Sequence, residues 1–378
     1  MAQKRLTLEE ITEGLTDERR ELSVRYPMNE VLIIMLLAII CGATSYNKIE
    51  MFGLAKEAWL REFLTLENGI PSAYTFRNVM MMIDSDELHE RFIKWMQGIA
   101  TEISGVVSID GKTVRRSKGE NKKPAHIVSA FAKDSGLVLG EIACEEKSNE
   151  ITAIPELLKL LMIKGCIITI DAMGTQTEIA KAIIDKEADY VLSLKENQPR
   201  LYEDVSSYME VQMLTKPKEE LSKDEYYVTT DNSHGRDEVR EYYICNDIEW
   251  LEHGKWKGMS GFGVCISTVI EHGSNTPVKS ANYAIYSVKG MTAEHFAKCK
   301  RGHWSIENSL HWVLDMSFRE DESRIREGNG AENFNILRHL AFNLLKLEQS
   351  KKTSITNKQF LCALDTDYLL KVLNCACS

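Results

Sequence analysis

The stretch GVVSIDGKT, residues 105–113, decides how the middle of the chain is read. Residues 106–109 form a short β-rich run that ends on Asp110 and Gly111, the form of a buried strand stopping at its carboxyl end. The same form returns at CIITIDA, where Asp171 closes the run and Ala172 follows. Between them lie two more β-rich runs, 127–132 and 137–143, separated by Lys133-Asp134-Ser135-Gly136, a hairpin signal. Strand and helix then alternate: a helix near 152–164, the strand ending at Asp171, a helix near 175–186 and a strand at 190–194. Three meandering strands followed by strand–helix units predict an α/β fold, a mixed sheet flanked by helices.

Outward from this centre the pattern changes on both sides. The first hundred residues read as helices: Thr7-Leu8-Glu9-Glu10 has the form of a capping box, and 28–43 is a nearly all-apolar helix expected in a core. Ser72 after Pro71 is placed to cap a helix carrying Phe76, Val79 and Ile83, and 84–103 continues with Leu88, Phe92, Trp95 and Met96 at helical spacing. Residues 199–290 hold charged stretches and strand-like runs at 239–244, 262–270 and 281–288, a β-rich insertion interrupting the sheet domain. Helices return at 292–317 and 331–347. The expected division is an N-terminal helical domain (1–103), a first sheet part (104–198), the insertion (199–290), a helical second part (291–348) and a C-terminal tail (349–378).

With 378 residues, 44% hydrophobic and 27% charged, the composition is that of a soluble globular protein with room for two or three domains. The longest uncharged apolar stretch, 31–43, is too short to span a bilayer, and no signal peptide opens the chain, so a cytoplasmic protein with no membrane partner is expected. Nine scattered cysteines, an odd number lying mostly in apolar runs, suit reduced packing residues. The net charge of -10 argues against a polyanionic partner, because phosphate neutralisation supplies most non-specific affinity. The segment GKTVRRSKGENKKPAH, 111–126, runs the other way. It sets Lys112, Arg115, Arg116, Lys118, Lys122 and Lys123 against Glu120 alone, directly after Asp110. It reads either as a basic flap beside a phosphodiester site or as a solvated loop.

A third carboxylate stands out in RGHWSIENSLHW, residues 301–312. On a helical wheel Ile306, Leu310 and Val313 share one arc, while Glu307, His311 and Asp315 form the polar stripe beside it. Asp110 and Asp171 at strand ends and Glu307 on a helix can converge on divalent cations, the layout of metal-assisted phosphoryl transfer. Taken singly, each aspartate also reads as a turn or helix cap. His303, Glu307 and His311 could instead hold zinc, yet their spacing is not that of a HExxH helix. No serine-nucleophile elbow, Walker A loop or dinucleotide fingerprint is present, and nothing marks the aromatic platform of a glycosidase.

Several ordered stretches carry a resemblance: SIDGKTVRRS, KSNEITAIPELL, TIDAMGTQTEIA, ADYVLSLKENQP, SHGRDEVR and RGHWSIENSLHWVLDMSFREDESRIREGNGAENFNILRH. Together they resemble the motifs of bacterial insertion-sequence DDE transposases of the H-repeat-associated type. YPMNEVLIIMLLAIICGA and GIPSAYTFRNVM resemble that group's associated N-terminal domain, so the likeness runs from about residue 8 to residue 348.

The resemblance implies an RNase H-like core with a catalytic and metal-binding triad at Asp110, Asp171 and Glu307, split by the insertion. It implies two Mg²⁺ ions per site, roughly 3.5–4 Å apart, with Mn²⁺ able to substitute. Its partners would be double-stranded DNA at transposon ends and target, on which the chain would act as a homo-oligomer; the alternative is a metal-dependent nuclease or a non-transposing DNA-binding relative. Lys112, Arg115, Arg116, Lys195, Asn197, Gln198, His234, Arg236, Arg301, His303 and Trp304 fall where DNA contacts would be expected. For Trp304 and Trp312 core packing is the plainer reading and stacking on a splayed base the other. Broader relatives carry tyrosine, arginine, glutamate and lysine along this helix; here those positions hold Lys300, His303, Glu307 and Leu314. His303, Arg301 or Arg319 would have to take over the phosphate contacts.

Overall fold

The computed structural model describes residues 12, 14–20, 24–99, 103–117, 124–144, 149–233, 235–252, 254–273 and 276–375, the side chains of Arg115 and Leu214 excepted. The capping box at 7–10, Lys118, Lys122, Lys123, His234 and the side chain of Arg115 therefore lie outside the described residues. Five strands come first: β1 (Val106–Thr113), β2 (His126–Ala132), β3 (Leu137–Cys144), β4 (Ile167–Ile170) and β5 (Asp189–Leu194). The insertion adds β6 (Tyr226–Ser233), β7 (Arg236–Cys245), β8 (Gly261–Glu271) and β9 (Val278–Tyr286). All nine join one sheet in the order β3-β2-β1-β4-β5-β9-β8-β7-β6. Strand β1 pairs antiparallel with β2 and parallel with β4, and β4 pairs parallel with β5, the arrangement of an RNase H-like core.

Alternation along β1 and β4 sorts side chains to two faces. Val107, Ile109, Ile168 and Ile170 enter a core with α5 (Glu150–Leu160), α6 (Thr177–Asp185) and α7 (Pro199–Thr215). Val106, Ile167 and Val191 face the other way, onto α8 (Ala293–Ile306), whose Phe296 and Cys299 complete that layer. The insertion extends the sheet instead of forming one of its own. Leu194 stands level with Tyr283, Val264 and Tyr243, and β7 runs on from Tyr243 to Arg236. At a rise of about 3.3 Å per residue, the hairpin tip stands about 20 Å beyond the carboxyl end of β5.

The helices α1 (Met28–Ile40), α2 (Tyr46–Leu60), α3 (Ala73–Met82) and α4 (Ser85–Ile99) pack around α1, which is buried along nearly its whole length. As expected, Ser72 caps α3, its hydroxyl accepting from the Thr75 amide at 3.3 Å. The same core takes in α10 (Gly330–Leu347), α11 (Ile355–Leu364) and α12 (Thr366–Asn374). The segment expected as a tail from 349 is thus largely two packed helices, because Cys362, Leu369, Val372 and Leu373 cover α1 and α10. No helix among the described residues is long and apolar enough to cross a membrane. The eight described cysteines are all free thiols.

Helix α10 also closes the edge of the sheet. Asn343, fully buried, accepts from the Val138 amide at 2.9 Å and donates to its carbonyl at 2.8 Å, so a side chain supplies the pairing that a next strand would give β3. Replacing it by leucine leaves two buried backbone groups without partners. Asn343→Leu is expected to cost about 2–4 kcal/mol in urea denaturation, whereas the surface change Lys352→Ala stays within about 0.5 kcal/mol.

Candidate active site

Asp110 lies on β1 and Asp171 directly follows β4, the strand beside it, with Ile109 opposite Ile170 in the parallel register. Both therefore stand level where the parallel pairing of the two strands ends, although β1, expected to stop at Asp110, runs on to Thr113 paired with β2. Ser108, Asp110 and Lys112 alternate onto the face covered by α8 and its continuation. There the Ser108 hydroxyl donates to the Gly302 carbonyl at 3.1 Å and receives from the Thr169 hydroxyl at 3.1 Å. Gly302 permits that contact, since a Cβ there would stand 2.9 Å from Cγ1 of Val106.

Beyond Ile306 the helix changes pitch. Glu307–His311 form a single π turn before α9 (Trp312–Met316) resumes, a local widening that helices often place at functional positions. Glu307 is exposed at the start of that turn, Leu310 is buried, and His311 points back at β1 with Nδ1 3.7 Å from Oδ2 of Asp110. Lys112 holds the turn to the strand by bonding the carboxylates of Asp315 and Glu320.

Electrostatically the carboxylates share one site. Burial pushes Asp110 up to about 7; the Gly111 amide, donating to Oδ1 at 2.9 Å, opposes this, while the charges of Asp171, Glu150 and Glu307 add to it. Asp171 answers both readings of a strand-end aspartate. Its Oδ1 accepts from the amides of Met173 at 3.0 Å and Gly174 at 3.3 Å, as a turn cap does, and its charge still acts on Asp110. Burial lowers His303 to about 4, helped by the Lys300 charge, and lowers His311 to about 3, helped by Lys112 and His303. Both are neutral imidazoles. Lys300 is also buried and lowered to about 8, and it donates to the Ser193 hydroxyl at 3.0 Å.

A fourth carboxylate sits on the opposite face of β1. Glu150, the first residue of α5, contacts His126 Nε2 at 2.6 Å, and His126 Nδ1 contacts the Thr113 hydroxyl at 2.7 Å. A Cβ on Gly111 would lie 2.4 Å from Glu150 and 2.5 Å from His126, so only glycine lets this buried chain press on the backbone beside Asp110. Sequence reasoning passed over Glu150 and His126; their signal was Glu150 inside KSNEIT and His126 closing the basic segment.

The remaining expected site residues are placed as follows. Lys112 is engaged with two carboxylates, and Arg116 is exposed with its carbonyl taking the Nε of Arg326 at 2.9 Å. Asn197 and Gln198 donate to Ala172 at 2.6 Å and Thr175 at 2.9 Å, tying the loop after β5 to the loop after Asp171. Lys195 and Arg301 are exposed, and Arg236 stands on the overhanging hairpin, 3.4 Å from Glu238. Trp304 and Trp312 are each 59% exposed, because the buried face of their helix is filled by Ile306, Leu310 and Leu314. His303 meets the Thr169 hydroxyl at 3.2 Å through Nδ1.

For a divalent cation the donor chemistry fits: hard carboxylate oxygens, with the charges of Asp171 and Glu307 both acting on a largely buried Asp110. The geometry is incomplete, since among the described residues no three His, Cys, Asp or Glu side chains lie close enough to cage an ion. The zinc alternative at His303, Glu307 and His311 finds no such cluster either.

The chain is similar to known proteins along most of its length. The profile of the family described as Transposase DDE domain matches residues 102–344, and that described as DDE_Tnp_1-associated matches residues 10–96. The "H repeat-associated putative transposase YhhI" of Escherichia coli K12 is 37% identical over 366 residues, covering 95% of each chain. The "Putative transposase YncI" of Escherichia coli O157:H7 is 39% identical over 369 residues, covering 95% of this chain and 92% of that one. Among solved structures, a piggyBac transposase synaptic complex with hairpin DNA aligns over 97% of this chain and 77% of that one at 11% identity. Its TM-score of 0.44 is too low to carry an argument.

Asp110 makes the site a cost to stability. Between pH 3.8 and about 7 the folded chain holds a proton that the unfolded chain has released, so the contribution of Asp110 falls as pH rises through that window. Asp110→Asn removes the penalty. In chelator-treated protein it is expected to raise stability at pH 8 by on the order of 2 kcal/mol, with the gain vanishing near pH 4, read from urea midpoints at the two pH values.

Proposed function

The chain belongs to the Transposase DDE domain family, and from that premise we propose that it cleaves DNA at the ends of a mobile element and joins the freed 3′-hydroxyl to target DNA. The observation that carries the reading is that the charges of two other carboxylates act on Asp110, although among the described residues the three do not close around an ion. Asp110 and Asp171 stand level where the parallel pairing of β1 and β4 ends, and the charges of Asp171 and Glu307 both act on Asp110.

In this reading Asp110 and Asp171 are the ligands of Mg²⁺ or Mn²⁺, with Glu307, exposed on its turn, the third. A pair of such ions supplies nucleophile activation and stabilises the leaving oxygen. The chain's own residues do the remaining work. The turn bonds from Met173 and Gly174 fix one oxygen of Asp171 and leave the other for a ligand. Asn197 and Gln198 hold the two loops together beneath it. Lys195, Arg301 and Trp304, exposed around the crevice, are the proposed contacts for the DNA backbone and for a splayed base. The role suits a chain of net charge -10 only if such contacts are local, so binding should weaken steeply with salt.

The decisive assay uses supercoiled plasmid carrying the element's ends. Asp171→Asn or Glu307→Gln is expected to lower Mg²⁺-dependent nicking about a thousandfold or more while end binding stays within a few-fold of the parent. Trp304→Ala should weaken end binding by about 1–3 kcal/mol. Nicking that survives Asp171→Asn removes that residue from the chemistry, and nicked ends never joined to target mark a nuclease instead.

A further inference from the structure

We propose that His311 is a positioning residue for Asp110, holding the orientation in which the first aspartate's carboxylate meets a divalent cation. One oxygen of Asp110, Oδ1, is taken by the Gly111 amide at 2.9 Å. The other, Oδ2, faces His311 Nδ1 at 3.7 Å, a separation that a small side-chain rotation closes to a hydrogen bond. An ionised carboxylate only accepts, so Nδ1 carries the hydrogen in that bond.

The surroundings leave His311 little other purpose. Its side chain is 12% exposed, and among the described residues its Nε2 is buried with no hydrogen-bond partner. A buried imidazole kept for packing alone would be better served by an apolar ring. Its backbone is anchored as well: the Lys112 amine lies 3.5 Å from the His311 carbonyl and grips the carboxylates of Asp315 and Glu320. His311 ends the π turn that Glu307 begins, so a bond from its ring to Asp110 registers the glutamate's turn against the first aspartate's strand. Partners of metal-bound carboxylates act this way in general, and their loss costs about 10–100-fold in metal affinity.

The inference rests on Asp110 being a cation ligand, and the experiment separates the two. Mn²⁺ is titrated into full-length, DNA-free protein and followed by water-proton relaxation. In His311→Asn the amide nitrogen falls where Nδ1 was and can reach Asp110; in His311→Gln it falls near Nε2 and cannot. The expected result is a Kd about tenfold or more weaker for His311→Gln and within about threefold of the parent for His311→Asn. At saturating Mn²⁺ the Gln variant should recover its nicking kcat, leaving the change in the metal KM. Equal Mn²⁺ affinities for the two amide variants overturn the role of His311. Should the Gln variant fail to fold, His311→Leu replaces it under the same criterion. Asp110→Asn run alongside guards the premise: binding lost there but unchanged in His311→Gln sinks only the positioning role, whereas binding unchanged in Asp110→Asn sinks the cation reading itself.

Discussion

Everything at the crevice depends on how closely α8 can approach β1. Gly302 lets the helix backbone lie against Val106, and the contact is sealed by hydroxyls: Ser108 to the Gly302 carbonyl, Thr169 to Ser108, and Thr169 to His303. Ser108 and Thr169 are buried and each satisfies another group, so the seam is specific as well as tight. A wider gap would carry Glu307 away from the two aspartates, whose positions are set independently by the parallel pairing of β1 and β4.

The crevice is then stiffened from both sides. On the α8 face Lys112 bridges to Asp315 and Glu320; on the other, Glu150 and His126 press on Gly111 with no room for a Cβ. Such support has a physical reason. Asp110 sits among three other negative charges and is partly withdrawn from water, so unconstrained it would turn outward. Rigid neighbours hold a destabilised group in place, the usual relation between a reactive site and the scaffold around it.

Much of this was legible in the sequence, for identifiable reasons. The runs ending at Asp110 and Asp171 announce themselves because central strands are apolar where they pair in parallel, and that pairing stops at Ile109 and Ile170. Glu307 was legible from the polar edge of an amphipathic wheel. The π turn was not, since a wheel assumes one pitch, and core packing, the plainer reading of Trp304 and Trp312, fails because Ile306, Leu310 and Leu314 fill the core and leave both rings exposed. Helix α7 escaped notice because its charged, weakly amphipathic sequence looks like loop, and β6 because its alternate residues stay half exposed. The helices after 354 were hidden by the polar segment before them, whose composition resembles that of a fraying end.

The insertion lies between the second and third acidic residues, and this orders events on the ribosome. Strands β1, β4 and β5 can pair once residue 194 has emerged, but α8 is seated by insertion residues: the Ala293 amide bonds the Asp224 carbonyl at 2.8 Å, and Phe296 packs on Tyr242. Domains fold as their segments become available during synthesis. A nascent chain therefore carries both aspartates long before the glutamate can dock, and the three acidic residues stay apart until the insertion has taken its place in the sheet.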